Sequence, residues 1–454
     1  MTGTKTQIAY VPIGVGTFHL ESAQRLFEQS ADLIRTCAGA SGAEARIPEK
    51  MLLTLQDLND FLKTISPDLI IMQNVTFANA AYAGEVLRNF SAHILLWTLR
   101  EPVIDGGRLR LNSLTGAFSA GNTIKEFRGS DHQFEYVFGS PDEQKVHDAV
   151  NSTIRACCLR SALRSAKISA VGHTPQGFGF GRALDAELTR TFGAVLESIE
   201  ARELINKAKS YSQEECSEYL ERAKRFLVGL ENTPKKNTDD FVRLYKAYDT
   251  YVRENNISAL ASRCWPDFFT DFGTPVCAVL SLLNAEGVVA SCESDTYGAL
   301  SMFMCAYLTK TAAFFGDPVS MDEEEGTITF WHCGMGACTL ARKDTGAEVG
   351  VHCNRKIGPT LEFGCRASGE ATIFRVGRKP NGQFRFFIAE GEILDKPKQF
   401  SGTSLVVRTK GSAEKIITDA VKSGWEPHFA VAYGSISKEL SVLARMLGTE
   451  VCEF

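Results

Sequence analysis

Short apolar runs alternate with longer helical stretches over the first half of the chain. Residues 21–37 form one such helical stretch, between the first two apolar runs. Because strands that alternate with helices usually build a parallel sheet with crossover helices, this half predicts two Rossmann-like α/β domains. The apolar runs of strand length are residues 6–12, 67–73, 93–97, 168–172 and 194–199.

The pattern changes after about residue 325, where strand-length runs follow one another closely. Two of these runs flank a Pro-Asn-Gly turn, and Asn-Gly is a strong hairpin signal. The runs predict an antiparallel, barrel-like module, after which the tail returns to an α/β pattern. The predicted strands are residues 372–377, 383–388 and 404–409, and the predicted helices are residues 413–423 and 437–447.

We therefore predict three domains. The first is an N-terminal α/β domain, and the second is a central α/β domain that carries Glu293. The third contains the antiparallel β-barrel and carries Asp317, His332 and His428. The predicted bounds are residues 1–165, 166–308 and 309–454.

A polar helical pair is predicted in the central domain, at residues 201–229 and 238–254, with a break after Pro234. Ser212 and Glu215 have the spacing of a capping box. Both helices are rich in charge on one face. We assign them to packing or to subunit contact rather than to chemistry.

Composition narrows the class of protein. Charged residues make up 23% of the 454 residues, the net charge is −5, and Lys and Arg form no long run. Because phosphate binding relies on clustered basic side chains, a nucleic acid partner is not expected. No apolar run approaches membrane-spanning length, and the N-terminus lacks a signal pattern, so no membrane is expected either. The thirteen scattered cysteines include no CxxC pair, which is typical of free thiols in a reducing compartment. These features predict a cytoplasmic globular protein.

Two glycine-containing stretches follow predicted strands. Gly14 and Gly16 lack the third glycine of a dinucleotide fingerprint, and we interpret them as a turn. Gly177, Gly179 and Gly181 fit neither the Walker nor the Rossmann spacing. No nucleotide site is therefore predicted.

Carboxylates follow the ends of predicted elements between residues 286 and 333. Glu293 and Asp295 come after a short apolar run, Asp317 follows Phe-Phe-Gly, and His332 ends a strand-like run. Open α/β sheets place their ligands beyond such strand ends. Glu293, Asp317 and His332 would suit a divalent cation, although acids at element ends also serve as caps or turn residues. His428 is a lone late histidine, and such a residue is more often part of a core or a cap.

Two segments resemble the metal-site region of the L-fucose isomerase and L-arabinose isomerase superfamily. They are residues 290–304, Ala-Ser-Cys-Glu-Ser-Asp-Thr-Tyr-Gly-Ala-Leu-Ser-Met-Phe-Met, and residues 308–317, which end in Phe-Phe-Gly-Asp. The interval between Glu293 and Asp317 is that between the family's two acidic ligands. The tail around Glu-Pro-His-Phe-Ala-Val-Ala-Tyr resembles the family's C-terminus, where a histidine supplies a third ligand, here His428.

The resemblance implies a metal-dependent aldose–ketose isomerase that works through an enediol. Glu293 and Asp317 would be both ligands and the acid–base pair, and His428 would complete the site with Mn²⁺, or with Mg²⁺ or Co²⁺. His332 resembles an additional ligand of the arabinose branch. Asp295, Trp331, Arg263 and Trp265 lie close in sequence, and we expect them to contact the sugar or to support the ligands, unless their role is structural. The family also implies a homo-oligomer, specifically a hexamer, that acts on a monosaccharide.

The identity of the sugar stays open at this point. The arginine that fucose isomerases carry after the first strand has no counterpart in the Val-Pro-Ile-Gly-Val-Gly stretch. One alternative is a modified sugar such as sulfoquinovose, whose sulfonate would call for extra Arg or Lys in the pocket. Another is a non-catalytic sugar-binding protein, although binding alone would not need Glu293, Asp317 and His428 together.

Overall fold

The computed structural model describes residues 5–454, which pack as two compact units. One unit runs to Ala162 and includes Ser441–Gly448. The other comprises Leu163–Leu440 and Thr449–Phe454. Within the second unit, the boundary between a central and a C-terminal domain stays a prediction.

The first unit contains a five-stranded parallel sheet in the order β2-β1-β3-β4-β5. Its middle strands are fully buried, which explains why they read as continuous apolar runs in the sequence. The strands are β1 (Gln7–Ile13), β2 (Glu44–Arg46), β3 (Leu69–Asn74), β4 (His93–Thr98) and β5 (Glu135–Phe138). The helices are α1 (Leu20–Ala40), α2 (Leu55–Leu62), α3 (Ala80–Asn89), α4 (Ser113–Arg128) and α5 (Gln144–Arg164).

The second unit opens with a parallel sheet of four strands in the order β10-β9-β6-β7. The strands in this part of the chain are β6 (Lys167–Val171), β7 (Val195–Ile199), the short β8 (Leu227–Val228), β9 (Ala259–Ser262) and β10 (Val289–Cys292). The helices are α6 (Asp185–Phe192), α7 (Ala201–Ser210), α8 (Ser217–Lys224), α9 (Lys235–Asn255), α10 (Cys277–Ala285) and α11 (Thr296–Thr309). The predicted parallel α/β architecture is confirmed in both sheets.

Six antiparallel strands then close into a barrel in the order β16-β15-β18-β11-β12-β17, with β17 pairing back to β16. The strands from here to the end are β11 (Phe314–Asp322), β12 (Thr327–His332), β13 (Ala347–Gly350), β14 (Thr360–Gly364), β15 (Ser368–Arg378), β16 (Phe384–Ile393), β17 (Thr403–Thr409), β18 (Phe429–Ala432) and β19 (Glu450–Glu453). The helices are α12 (Ala413–Lys422) and α13 (Ser437–Leu447). The predicted C-terminal barrel and its hairpin are confirmed.

The single helix predicted over residues 201–229 is wrong. Helix α7 ends at Ser210, and α8 starts at Ser217. The capping box causes the break, because Glu215 accepts from the Ser212 N–H (2.7 Å) and the Ser212 hydroxyl accepts from the Glu215 N–H (3.3 Å). These two bonds satisfy the amides of a new helix start, so a second helix begins there. Of the helices in residues 5–454, none is long and apolar enough to cross a membrane.

The closing pair of the barrel depends on Gly391 in β16. A Cβ at this position would overlap the carbonyl oxygen of Arg408 in β17. We therefore expect Gly391→Ala to lower the free energy of unfolding by about 1–3 kcal/mol, as overpacking typically does. Denaturant unfolding followed by circular dichroism would measure the change.

Gly369→Ala is the matched control, because a Cβ at Gly369 in β15 meets nothing within 4 Å. The free energy of unfolding of Gly369→Ala should stay unchanged or rise by about 0.4–1 kcal/mol, because alanine lowers the conformational entropy of the unfolded chain. An equal loss in both variants would contradict the role assigned to Gly391.

Candidate metal and sugar site

A strained turn carries Glu293 away from the end of β10. Glu293 and Ser294 both adopt left-handed backbone conformations, with φ of 58° and 55°. This conformation costs roughly 1–2 kcal/mol for each residue that has a side chain. Ser294 anchors the turn, since its N–H donates to Ser262 O (3.1 Å) and its hydroxyl donates to Gly172 O (3.2 Å). Strain held in place this way often marks a functional site.

Asp295, two residues further on, is the N-cap of α11 and binds three partners at once. Its Oδ1 accepts from the Gly298 N–H at 2.8 Å. The Arg375 guanidinium donates to both of its oxygens, at 2.5 and 3.1 Å, and His428 Nδ1 lies 2.9 Å from Oδ2. Asp295 is 1% exposed and Arg375 is 0% exposed. Burial works against the charge, but Arg375 and His428 hold the pKa of Asp295 well below its usual range.

His428 stands immediately before β18 and faces three carboxylates. Its Nε2 lies 2.9 Å from Glu293 Oε2 and 3.4 Å from Asp317 Oδ1, and its Nδ1 contacts Asp295. Burial alone would lower the pKa of His428, but its bonds to Asp295 and Glu293 raise it to about 10. The cluster therefore attracts positive charge, which a proton or a metal cation can supply.

Asp317 reaches the cluster because β11 lies very close to β12. A Cβ at Gly316 would come within 2.6 Å of the Trp331 carbonyl oxygen, so glycine allows this approach. Burial raises the pKa of Asp317 to about 6. Burial also opposes the charge of Glu293, but the bond to His428 lowers the pKa of that carboxyl below its usual value. The two carboxylates of one site thus bind protons with different strength, as acid–base pairs in enzymes do.

Glu293, His332 and His428 form a group whose ligand atoms all lie within 4.8 Å of one another. Ligands of one small divalent ion are separated by roughly 3–4 Å, so the distances of 2.9 and 3.4 Å around His428 fit a shared ion. Asp317 adjoins this trio through His428. The sequence prediction of Glu293, Asp317 and His428 as ligands, with His332 beside them, is compatible with this geometry and stays a prediction.

His332 shows two features that bear on ligation in opposite directions. Its Nε2 is buried and has no hydrogen-bond partner within residues 5–454, which is compatible with ligation of a cation. Its Nδ1, however, accepts from the Cys333 N–H at 2.9 Å, which leaves the proton of a neutral ring on Nε2. Ligation through Nε2 requires that proton on Nδ1, which would then lose the bond from the Cys333 N–H and could donate to the Cys333 thiol at 3.4 Å instead.

The other predicted contact residues occupy different places around the cluster. Trp331 stacks beside His332, with ring centroids 6.5 Å apart, and donates from Nε1 to Ser401 O at 2.7 Å. Trp265 lies edge-on to Phe178 at 6.3 Å. Arg263 is held by Asp267 at 2.8 Å and by the Trp265 carbonyl at 3.1 Å. Contact of these side chains with a sugar stays a prediction.

Sequence reasoning missed the aromatic wall beside His428. Phe178 and Phe180 lie 6.2 and 5.4 Å from the His428 ring, on the loop whose glycine spacing fits no phosphate motif. Gly181 lets this loop pack on Asp295, since a Cβ there would lie 2.7 Å from the Asp295 Cα. The alternation Gly-Phe-Gly-Phe-Gly was the available signal. Arg375 was also missed, although an arginine inside an apolar strand run signals a buried partner.

Known proteins resemble this chain over nearly its whole length. Residues 352–454 match the family described as L-fucose isomerase, C-terminal domain, a segment that contains His428. A sulfoquinovose isomerase of Clostridium sp. (strain MSTE9) is 60% identical over 444 residues, covering 98% of each chain. A sulfoquinovose isomerase of Priestia megaterium is 37% identical over 453 residues, again covering 98% of each chain.

The chain belongs to the sulfoquinovose isomerase family, within the L-fucose isomerase superfamily. It is an aldose–ketose sugar isomerase, as the sequence predicted. Among solved structures, the periplasmic binding protein of the arabinose ABC transporter from Shewanella sp. ANA-3 is 12% identical, and the match covers 67% of this chain and 86% of that chain. Its TM-score of 0.18 is too low to favour the non-catalytic sugar-binding alternative.

The role of His332 can be tested by metal retention. We expect His332→Ala to weaken Mn²⁺ binding by at least about 10–100-fold, the loss typical even of residues that only support a ligand. Calorimetric titration with Mn²⁺ measures the affinity, and melting with and without Mn²⁺ reports binding to the folded state.

His352→Ala is a suitable control, because His352 is also a buried histidine of this unit but lies outside the trio. It should lower the melting temperature while Mn²⁺ affinity holds. If His332→Ala behaved in the same way, His332 would be a packing residue beside Trp331.

Proposed function

We propose that this enzyme converts sulfoquinovose to its ketose in a metal-dependent reaction. The observation that carries the choice of substrate is the 60% identity, across 98% of both chains, to a protein named sulfoquinovose isomerase. The carboxylate and imidazole cluster around His428 supports the metal dependence.

The residues of the site would divide the work as follows. Isomerisation moves a proton between C1 and C2 through an enediol, so a group must accept the proton from one carbon and return it to the other. Glu293, which stays ionised, is the base, and Asp317, which binds a proton more readily, is its partner. His428 is held in place by Asp295 on one side and Glu293 on the other.

Glu293, Asp317 and His428, with His332, would hold the ion. When bound, a divalent cation supplies Lewis-acid stabilisation of the negative charge that develops on the sugar oxygens. Carboxylates with one or two imidazoles favour Mn²⁺, and Mg²⁺ or Co²⁺ are the alternatives. The buried Nε2 of His332, which has no hydrogen-bond partner among the described residues, fits such an ion.

Two further expectations rest on the family and on the cysteines. We infer a homo-oligomer, specifically a hexamer, because the superfamily buries its sites between subunits. We also infer a cytoplasmic enzyme, since the thirteen cysteines form no disulfide within residues 5–454, which is typical of a reducing compartment.

The proposal predicts a specific pattern of activity after metal removal. Protein treated with EDTA and dialysed should no longer convert sulfoquinovose, and Mn²⁺ should restore conversion better than Mg²⁺ or Zn²⁺. Ketose formation is followed by ¹³C NMR, and bound metal is measured by mass spectrometry of the digested protein.

L-Fucose and L-arabinose serve as comparison substrates under the same conditions. Full turnover by metal-free protein would contradict the metal dependence. Faster turnover of L-fucose or L-arabinose than of sulfoquinovose would contradict the substrate.

A further inference from the structure

A sulfonated sugar has one property that its neutral relatives lack, and this inference rests on the proposed function. The sulfonate on C6 is fully ionised and lies at the end of the sugar opposite to the reacting carbons. A site that partly removes water from it must supply positive charge, and the planar fork of arginine suits such an oxyanion.

Most arginines near the cluster are already neutralised by a carboxylate. Arg375 forms an ion pair with Asp295. Arg263 binds Asp267 at 2.8 Å, and Arg378 binds Glu187 at 2.6 Å. Diverting any of these three to a ligand would leave a carboxylate without its partner, at a cost that increases with burial.

Arg355 differs from these three. It is exposed, and its guanidinium lies over two aromatic rings, 5.2 Å from the Trp265 centroid and 4.8 Å from the Phe269 centroid. Within residues 5–454, no carboxylate forms an ion pair with it. Stacking fixes the plane of a guanidinium while the N–H donors at its edge stay available.

Two routes link Arg355 to the ligand cluster, one through ring contacts and one through a histidine that interacts electrostatically with the cluster. The first runs through rings, because Trp265 is 6.3 Å from Phe178, which is 6.2 Å from His428. The second runs through His352, three residues earlier, whose Nδ1 accepts from the Arg355 N–H at 3.4 Å.

His352 itself lies within electrostatic range of the cluster. Burial, and after it the charge of Arg355, lowers the pKa of His352 to about 4, and His332 and Glu293 also act on it electrostatically. Its ring is edge-on to Phe269 at 5.0 Å. The loop that carries Arg355 is therefore close to the ligands without contributing one, which is where the far end of a bound sugar belongs.

We propose that Arg355, stacked on Trp265 and Phe269, binds the sulfonate of the sugar and so selects sulfoquinovose over neutral aldoses. Trp265 then acts by holding the guanidinium in place. The competing cation is Arg182, which follows the Phe178–Phe180 wall and also lacks a carboxylate partner within residues 5–454. Among the described residues, its side chain is held by Thr174 Oγ1 at 3.5 Å and has no stacking ring, so its position is less defined.

The test compares sulfoquinovose with quinovose, the 6-deoxy sugar that is the same aldose without the sulfonate. In metal-loaded enzyme, Arg355→Met should raise the KM for sulfoquinovose about 10- to 100-fold, the loss expected when a hydrogen-bonded charge is removed. The kinetic constants for quinovose and the Mn²⁺ content should not change. Calorimetric binding of both sugars gives the same comparison without turnover.

Three variants sharpen the result. Lys356→Met removes a charge from the next residue of the same exposed loop and should leave both sugars unaffected. Arg355→Lys should recover part of the sulfoquinovose affinity. Arg182→Met should have a smaller effect than Arg355→Met.

Several outcomes would overturn the inference. Equal losses for both sugars would make Arg355 a structural residue, and unchanged sulfoquinovose affinity would remove it from recognition. A larger effect of Arg182→Met would assign the sulfonate to Arg182. If the wild-type enzyme neither binds nor converts sulfoquinovose, both the proposed function and this inference fail. If the wild type is active and the Arg355→Met variant is unaffected, only this inference fails.

Discussion

The buried carboxylate of Asp295 is the interaction on which the site depends. It caps the first turn of α11, pairs with Arg375 in barrel strand β15, and orients His428 before β18. One side chain thereby ties the α/β sheet of this unit to its barrel. Removing a partner from such a buried pair typically costs about 3–5 kcal/mol, because the remaining charge has no water to stabilise it.

A second consequence concerns charge. Arg375 offsets Asp295, but Glu293 and Asp317 share a single imidazole. Against the effect of burial, the bonds to Asp295 and Glu293 raise the pKa of His428 to about 10, while burial, together with the nearby carboxylates, raises the pKa of Asp317 to about 6. The same arrangement that stabilises a proton on His428 provides oxygen and nitrogen donors for a divalent ion. The strain at Glu293 and Ser294 is tolerated because the turn places a carboxylate at this point.

Much of the architecture could be predicted from the sequence, because fully buried parallel strands such as β3 and β4 read as apolar runs. Glu293, Asp317 and His428 could be proposed from family resemblance, and the structure brings them together.

Arg375 could not be paired with Asp295, since 80 positions separate them and only the closed barrel joins them. The break after α7 could be predicted from the Ser212–Glu215 capping box, because such a box starts a new helix. Arg355 carries no local signal at all, since its significance lies in the two rings beneath it.

The measurement that tests the central claim most directly is proton NMR of sulfoquinovose isomerisation in D₂O, with the wild type and with Glu293→Gln. If a carboxylate carries the proton through an enediol, deuterium should enter C2 of the aldose or C1 of the ketose. Glu293→Gln keeps the size and one acceptor oxygen but cannot act as a base, so turnover should fall by ~10²–10⁴ at equal Mn²⁺ content. Near-normal turnover in a Mn²⁺-loaded mutant, with no deuterium in either sugar, would contradict the account.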